Sequence, residues 1–327
     1  MKASLRYYLA QHRGTWLAGG LFSLSFGVYV AEHPVGLTPD VATTAANKAV
    51  LLATVAVAQT LPVLTSGIDL SLGAIFVLAN CLASSIVHGS SLAVAAGAGL
   101  VLAAGAAAGL VNAALIVLGR LQPIITTLAT STLYYGLALG LRPVPGGSVD
   151  STLADAVTGQ LPGGIPAMLA VLLAVIMLVW IPFRRSVTGR GALAIGSSET
   201  AAYMSGIPIA RVKLLTYTLA GALASLAGLL LTLVTSSGEA SATLAGTYTL
   251  NSIAAVVIGG TSLAGGAGSA IGSVFGAFVF STLGDLLFVF DLPPLWQPLF
   301  LGVILLFSVS LAALRLLKQG SRLDWFS

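Results

Sequence analysis

Few side chains in this sequence could perform chemistry, and they do not cluster. A P-loop requires Gly immediately before Lys, but the four lysines follow Met1, Asn47, Val212 and Leu317. Cys81, the single cysteine, lies in an apolar run, and no cysteine or carboxylate stands at metal-ligand spacing from the three histidines, His12, His33 and His88. The sequence therefore predicts no enzymatic activity, no metal site and no bound cofactor.

Two acidic residues interrupt apolar runs, where a charge must face a polar interior, a helix end or the membrane interface. Asp69 directly precedes an apolar run, so its carboxylate can accept hydrogen bonds from the first amides of a helix, and we interpret it as a structural cap rather than a substrate contact. Asp285 lies deeper in its run and is a candidate proton or cation site, unless it sits at the outer interface of the membrane, where its predicted span ends at residue 290. The sequence offers neither acid an obvious basic partner within the membrane.

Uncharged amides form a second set of polar side chains within or beside the apolar runs. Amides can exchange hydrogen bonds with a neutral, hydroxyl-rich substrate without holding it as strongly as fixed charges would. The alternative is that each amide joins two helices. The candidates for a translocation path are Asn47, Gln59, Asn80, Asn112, Gln122 and Asn251.

Membrane-spanning helices must position these residues. The chain is 57% hydrophobic and 7% charged, with a mean hydropathy of +1.01, whereas about a quarter of the residues in a soluble globule are charged. Because a span needs about 20 apolar residues, we predict an all-α polytopic membrane protein in which residues 1–327 form a single transmembrane domain. About ten spans are expected, near residues 15–31, 47–65, 71–88, 92–119, 123–142, 165–183, 213–236, 246–263, 269–290 and 295–314.

The basic residues predict the orientation of these spans. If the chain starts inside, twelve of the 14 basic residues fall on the cytoplasmic side and only Lys48 and Arg142 fall outside. An even number of spans keeps Arg315, Lys318 and Arg322 inside, so both termini are expected in the cytoplasm. Membrane orientation thus accounts for the net charge of +4, and nucleic acid is not an expected partner.

Regularly spaced glycines predict close helix packing in two of the spans. Small residues that recur every four positions align on one helical face and allow two backbones to approach each other. Gly268, Gly272 and Gly276 follow at such four-residue intervals in one span, and another span contains Gly97, Gly99, Gly105 and Gly109.

A polar stretch at about residues 184–213 separates two spans. Ser198 is a suitable N-cap, Glu199 suits the positive end of a helix, and Gly206 followed by Pro208 is a stop signal. These signals predict a short cytoplasmic helix of about two turns from Ser198 to Ser205. So short a helix needs support from neighbouring spans or from a second protein, unless the stretch is an ordinary connector.

Three motifs in this chain resemble the permease subunits of bacterial sugar ABC importers, in the ribose, galactose and xylose branch. The first is Gly67-Ile68-Asp69-Leu70-Ser71-Leu72-Gly73. The second runs from Gly189-Arg190 through Ala194-Ile195-Gly196 to Ser205-Gly206-Ile207. The third is Val256-Val257-Ile258-Gly259-Gly260-Thr261-Ser262-Leu263 with Gly265-Gly266 and Gly268. The three motifs stand in the family's order and extend over most of the chain.

The resemblance implies that the polar stretch is a coupling segment that docks on a separate ABC ATPase subunit, which binds the ATP. It also implies a second permease copy or paralogue, a periplasmic sugar-binding protein, a monosaccharide cargo and a location in the lipid bilayer of the bacterial inner membrane. The residues implied for coupling are Gly189, Arg190, Glu199, Ala201, Ala202, Ser205 and Gly206, and the structural signature residues are Gly67, Asp69, Ser71, Gly73, Gly259 and Gly260.

Two other classes of protein fit the same composition. The first is an ion-coupled secondary transporter that uses Asp285 or Asp69. The second is a membrane scaffold without cargo, which would need no polar residues along its spans.

Overall fold

The computed structural model describes residues 13–296 together with residues 299–300, 302–303 and 306. The helices are α1 (Arg13–Glu32), α2 (Pro39–Leu64), α3 (Leu72–Ile86), α4 (Ser91–Val117), α5 (Pro123–Leu141), α6 (Ser151–Thr158), α7 (Ala167–Val175), α8 (Ile181–Arg185), α9 (Val187–Ser197), α10 (Glu199–Met204), α11 (Ile209–Thr235), α12 (Ala242–Ile258) and α13 (Ala270–Val289). A π-helix (Ile176–Trp180) joins α7 to α8, and a 3-10 helix covers Pro294–Trp296. Strands β1 (Gln160–Leu161) and β2 (Ile165–Pro166) form a short antiparallel hairpin after α6.

Seven helical segments in the described part of the chain are long and apolar enough to cross a membrane: α1, α2, α4, α5, the continuous α7–α8 segment, α11 and α13. Helices α3 and α12 are also apolar but shorter, with 15 and 17 residues. Each of the first nine predicted spans coincides with one of these elements, and the tenth, near residues 295–314, lies largely outside the described residues. The helical, polytopic class is confirmed, whereas ten spans and cytoplasmic termini stay predictions.

Side-chain caps determine where several spans begin. Thr38 accepts a hydrogen bond from the Val41 N–H, and α2 therefore starts at Pro39 rather than near residue 47. Ser90 and Ser241 cap α4 and α12 in the same way. The caps lengthen the helices beyond the apolar runs, because a helix can extend into polar sequence once its first amides are paired.

Helix α2 forms the centre of the protein. Every residue from Val50 to Leu64 is buried, and the helix contacts α7, α11, α12 and α13. A span that is apolar on all sides is expected in the interior of a bundle, where no face is reserved for lipid or water. The polar side chains on α2, Gln59 among them, must therefore find partners inside the protein.

Glycines allow the backbones of neighbouring spans to come into close contact, as the spacing of these glycines predicted. Gly105 and Gly109 on α4 lie against the backbone of α11 at Gly221 and Tyr217, and Gly276 on α13 lies against Ala255 on α12. In each case an added Cβ would overlap backbone atoms, which cannot turn aside as a side chain can. Two of the predicted glycines are exceptions. Nothing lies within 4 Å of the Cβ position of Gly99, and Gly268 precedes the first residue of α13, so it is not on a helical face.

The described basic residues divide between the two ends of the bundle. Gly14 contacts Gly260, and Gly196 contacts Leu64 and Gly266, so the start of α1, the end of α2, the end of α9 and the segment after α12 share one end. We call it the basic end, because it carries Arg13, Arg120, Arg184, Arg185, Arg190, Arg211 and Lys213. Arg142 lies at the opposite end, beside Ser84.

Candidate functional site

The chain between α2 and α3 forms a break in the helical core at residues 65–71. Ser66 has a positive φ of 61°. Gly67 lies so close to Tyr217 that a Cβ at this position would overlap the tyrosine hydroxyl, so any larger residue would have to displace this buried side chain. Irregular backbone is tolerated within a membrane protein where it is packed against other elements. Asp69 and Ser71 are fully buried within the break, so their polar atoms depend on internal partners.

A hydrogen-bond network holds this break. Asp69 Oδ1 accepts from the Ser71 N–H at 2.9 Å and from Ser71 Oγ at 2.6 Å. Asn112 Nδ2 on α4 donates to Ser71 Oγ at 2.7 Å, and Tyr134 OH on α5 donates to Asn112 Oδ1 at 3.0 Å. The Gln59 amide, in the orientation that pairs both its ends, donates to the Asp69 carbonyl at 2.9 Å and accepts from the Asp69 N–H at 3.2 Å. Helices α2, α4 and α5 are thereby tied to one buried segment.

The first motif positions α3 against α12. Ser71 is the N-cap residue of α3 but makes no side-chain capping bond, so Asp69 closes the preceding turn rather than capping the helix directly. The Gly73 N–H donates to Thr249 Oγ1 on α12 at 3.2 Å, and a Cβ at Gly73 would overlap the Ala245 carbonyl. The glycine therefore allows α12 to lie directly on the start of α3.

Replacing Asp69 with Asn is expected to lower stability more than transport. The new amide can keep one oxygen for Ser71, but its NH₂ group replaces Oδ2, which faces the Asn112 Nδ2 donor at 3.4 Å. Two buried donors then oppose each other, which costs about 1 to 3 kcal/mol. Thermal inactivation of the purified protein measures the loss, with exposed Asp155→Asn as the control. Complete loss of uptake by Asp69→Asn protein at normal abundance and stability would show that the carboxylate has a direct transport role.

The second and third motifs meet the end of α2 and the start of the break at a junction on the basic end. Ser66 Oγ lies 2.6 Å from the Ala264 carbonyl and 3.1 Å from the Gly196 carbonyl, and the Gly266 N–H donates to the Leu64 carbonyl at 3.2 Å. Gly196 has no room for a Cβ, because the Leu64 carbonyl and the Gly266 amide occupy that space. We call this contact the Gly196 junction. It joins the end of α9 directly to the break that follows α2.

The third motif has a similar packing role. A Cβ at Gly259 would overlap the backbone at Gly272 of α13, and Gly260, with a φ of 83°, lies against Gly14 of α1. These two glycines allow the end of α12 to contact both neighbouring spans. The role that the resemblance implies for these signature glycines stays a prediction.

The polar stretch folds into two short helices rather than one. The predicted helix is confirmed as α10: Ser198 Oγ accepts from the Ala201 N–H at 3.3 Å, and Gly206 ends the helix with a φ of 76°. The preceding helix α9, capped by Ser186, was not predicted. Both carboxylate oxygens of Glu199 accept from Lys213 Nζ at 2.9 Å, which ties α10 to α11.

The exposure of the side chains in this stretch shows which of its residues are accessible to another protein, and this set differs from the predicted one. Ala202 is only 4% exposed and Gly189 packs against the Phe183 carbonyl, so both predicted coupling residues support the chain's own fold. The prediction of a contact surface is corrected for these two positions. Tyr203 and Met204 are 73% and 83% exposed on α10, although neither was predicted. Arg190, Glu199, Ala201, Ser205 and Gly206 are also exposed.

Three of the predicted path amides have both their oxygen and their nitrogen hydrogen-bonded to other groups of the protein. Gln59 and Asn112 belong to the network around Asp69. Asn80 donates to Thr232 Oγ1 at 2.9 Å and to the Ser237 carbonyl at 3.1 Å, and it accepts from the Glu239 N–H at 3.0 Å. These bonds correspond to the alternative in which the amides join helices.

The other three amides lie nearer the surface. Asn47 donates to the Thr158 carbonyl at 2.8 Å and Gln122 is exposed at the start of α5. Asn251 lines a cavity of about 370 Å³ between α2, α12 and α13, together with Thr247, Tyr248 and Ser281. On the other side of α12, Ser131, Thr132 and Tyr135 of α5 line a second cavity of about 370 Å³. Asn251 is thus a predicted path residue that lines a cavity of the described bundle.

Asp285 has a basic partner, contrary to the sequence-based expectation. Lys48 Nζ lies 2.9 Å from Asp285 Oδ1 at the edge of the cavity that contains Asn251. The two residues are 237 positions apart, so the sequence carried no local signal of the pair. A paired carboxylate is a weaker candidate for a proton or cation site, since its charge is already compensated.

The buried network, the Gly196 junction and the exposed helix α10 belong to a polytopic membrane protein in which a surface helix is joined directly to the helical core. The chain belongs to the family described as branched-chain amino acid transport system / permease component, whose model matches residues 41–309.

Curated relatives agree with this assignment. The chain is 40% identical over 264 residues to the ribose import permease protein RbsC of Bacillus subtilis, covering 79% of this chain and 80% of that protein. It is 36% identical over 265 residues to RbsC of Escherichia coli K12, with coverages of 79% and 80%. It is 32% identical over 266 residues to the fructose import permease protein FruG of Bifidobacterium longum, with coverages of 78% and 77%. No solved structure was found to match the chain.

Proposed function

We propose that this chain is the membrane permease subunit of an ATP-binding-cassette importer for a monosaccharide in the bacterial inner membrane. Its partners are a separate ABC ATPase on the basic, cytoplasmic end, a second permease copy or paralogue, and a periplasmic sugar-binding protein on the opposite end. The ATPase subunit binds the ATP, and this chain hydrolyses none. The names of the ribose and fructose import permeases among its relatives support the sugar cargo.

The Gly196 junction is the observation that carries this proposal. An ATPase that moves the exposed helix α10 also moves α9, because Ser198 is shared by both helices: its N–H closes the last turn of α9 on the Ala194 carbonyl and its side chain caps α10. The end of α9 then displaces Ser66 and the break at residues 65–71. Because the break is bonded to α2, α4, α5 and α12, a shift there changes the packing around both cavities that flank α12. Rigid packed elements transmit displacements of this kind.

The cavity chemistry favours a neutral cargo. The cavity between α5 and α12 is lined by hydroxyls and apolar groups without a charged residue. In the other cavity the two charges of Lys48 and Asp285 are paired with each other. A branched-chain amino acid, the cargo in the family's description, carries a carboxylate and an ammonium group that need fixed counter-charges when they leave water. A sugar needs only hydrogen-bonding groups, which these cavities provide.

A competition experiment tests the cargo. The assembled complex, reconstituted into ATP-loaded proteoliposomes with its binding protein, is expected to take up labelled ribose, and unlabelled monosaccharides should reduce this uptake. Leucine and valine should have no effect. Uptake of a branched-chain amino acid that monosaccharides cannot reduce would contradict the proposed cargo.

The ion-coupled alternative is less well supported. Asp69 is fully buried and bonded within the break, and Asp285 is paired with Lys48. Asp69 is therefore shielded from the solution, and the charge of Asp285 is already compensated by Lys48.

A further inference from the structure

A cavity of about 830 Å³ opens at the basic end between the end of α4 and the start of α11. This volume falls within the range of about 300 to 1,000 Å³ that is usual for small-ligand pockets. Its wall combines three cations, Arg120, Arg211 and Lys213, with Tyr203 of helix α10 and apolar residues that include Leu121. The cavity is separate from the two cavities beside α12 and from the Gly196 junction.

The charges in this cavity are not balanced. Glu199 is the acidic residue that lines the cavity, and both carboxylate oxygens of Glu199 already accept hydrogen bonds from Lys213 Nζ at 2.9 Å. Within the described ranges, no acidic side chain makes a salt bridge with Arg120 or Arg211. Two exposed guanidinium groups therefore face one cavity without a counter-charge. Guanidinium groups match the oxygen atoms of a phosphate in pairs, so the complementary ligand is an anion of this type.

The surroundings of the cavity indicate what else the ligand contains. The cavity lies where α4 ends and α11 begins, which is the depth of lipid headgroups if these helices span the bilayer. A stripe of exposed apolar side chains leads along α4 toward it, namely Val111, Leu115 and Leu118, which are 45%, 39% and 78% exposed. Leu121, at the rim, is 49% exposed. A phosphate in the cavity that carried acyl chains would place those chains along this stripe.

We propose that this cavity binds the phosphate headgroup of an anionic phospholipid of the cytoplasmic leaflet. Arg120 and Arg211 bind the phosphate oxygens, and the acyl chains follow α4. Basic pockets between transmembrane helices on the cytoplasmic side bind headgroups of this kind. Because Tyr203 of α10 forms part of the wall, the bound lipid contacts the same helix that is proposed to dock on the ATPase. This proposal rests on the proposed function for one point, that the basic end lies in the cytoplasm, and it does not depend on which cargo is transported.

Lipid retention by the assembled transporter tests the proposal. The complex is placed in nanodiscs of phosphatidylcholine alone or of an equal mixture with phosphatidylglycerol, and phosphatidylglycerol that stays with the complex after extraction is quantified by mass spectrometry. The Arg120→Gln/Arg211→Gln variant is expected to bind this lipid about 30-fold more weakly than the parent, since two basic residues near the membrane surface are removed. Arg13→Gln/Arg185→Gln removes two exposed cations of the same end outside the cavity and should retain phosphatidylglycerol like the parent.

Three outcomes would overturn the proposal. Equal lipid retention by the two double variants would show that the cavity is not the lipid site. Displacement of the lipid by millimolar inorganic phosphate would assign the site to a free anion. Release of the ATPase from Arg120→Gln/Arg211→Gln with unchanged lipid retention would show that the ATPase itself fills the cavity. Sugar uptake by the parent in the same preparations tests the proposed function separately, so failure of the lipid site leaves that result intact.

Discussion

Substituting Met204 with Glu is expected to release the ATPase from the permease while leaving the permease folded and inserted. Met204 is 83% exposed on α10, so the change disturbs no packing within the chain. In the proposed complex, however, the new carboxylate is desolvated against the ATPase without a partner. Such a charge costs about 2 to 5 kcal/mol, and the lower value corresponds to about a 30-fold weaker association. Copurification of the ATPase with tagged permease measures the effect.

Two comparisons isolate the cause of this loss. Val35→Glu introduces the same charge at an apolar position that is 64% exposed in the connection between α1 and α2, at the opposite end, and should retain the ATPase fully. Ala202→Glu should instead reduce the amount of folded permease, because Ala202 is buried against its own chain. Full ATPase retention by Met204→Glu, together with normal transport, would mean that α10 is not the coupling element.

Replacing Gly196 with Ala is expected to separate the polar helices from the core. The added methyl group would overlap the Leu64 carbonyl and the Gly266 amide, both of them backbone atoms that cannot move aside. Overpacking of this kind typically costs about 1 to 3 kcal/mol, and here the displaced segments are the end of α2 and the glycine pair of the third motif. Thermal stability and sugar uptake should therefore fall together.

The matched control is Gly99→Ala on α4. Nothing lies within 4 Å of a Cβ at Gly99, and alanine is the better helix former, so stability should be unchanged or slightly higher. If Gly196→Ala behaved like Gly99→Ala, the tight contact at the Gly196 junction would be unnecessary for coupling.

The parts of this fold that were predictable from the sequence are those set by local composition. Apolar runs located the spans, and Ser198, Glu199 and Gly206 located α10, because caps and stop signals act within a few residues. Helix α9 was missed because Gly189, Gly191 and Gly196 are poor helix formers. Contacts between spans compensate for these glycines, and such contacts leave no local pattern.

The contacts within the site could not be predicted from the sequence, because they join residues that only the tertiary structure brings together. Lys48 and Asp285 are 237 residues apart, and Asn112 and Ser71 are 41 apart, so neither pair shares a motif. Ala202 was assigned to a partner surface because a small side chain fits an interface or an interior equally well. Tyr203 and Met204 are exposed whereas Ala202 is buried, so the face of α10 that carries Tyr203 and Met204 points away from the rest of the chain.

The most direct test of the coupling account is sugar uptake when ATP and the ion gradients are controlled separately. The complete complex is reconstituted in proteoliposomes, and labelled sugar uptake is measured with ATP present while ionophores collapse the proton and sodium gradients. Uptake is expected to continue at the rate seen with the gradients intact and to stop when ATP is withdrawn or the ATPase is omitted. Uptake that disappears with the gradients while ATP is maintained would contradict the account and favour an ion-coupled transporter.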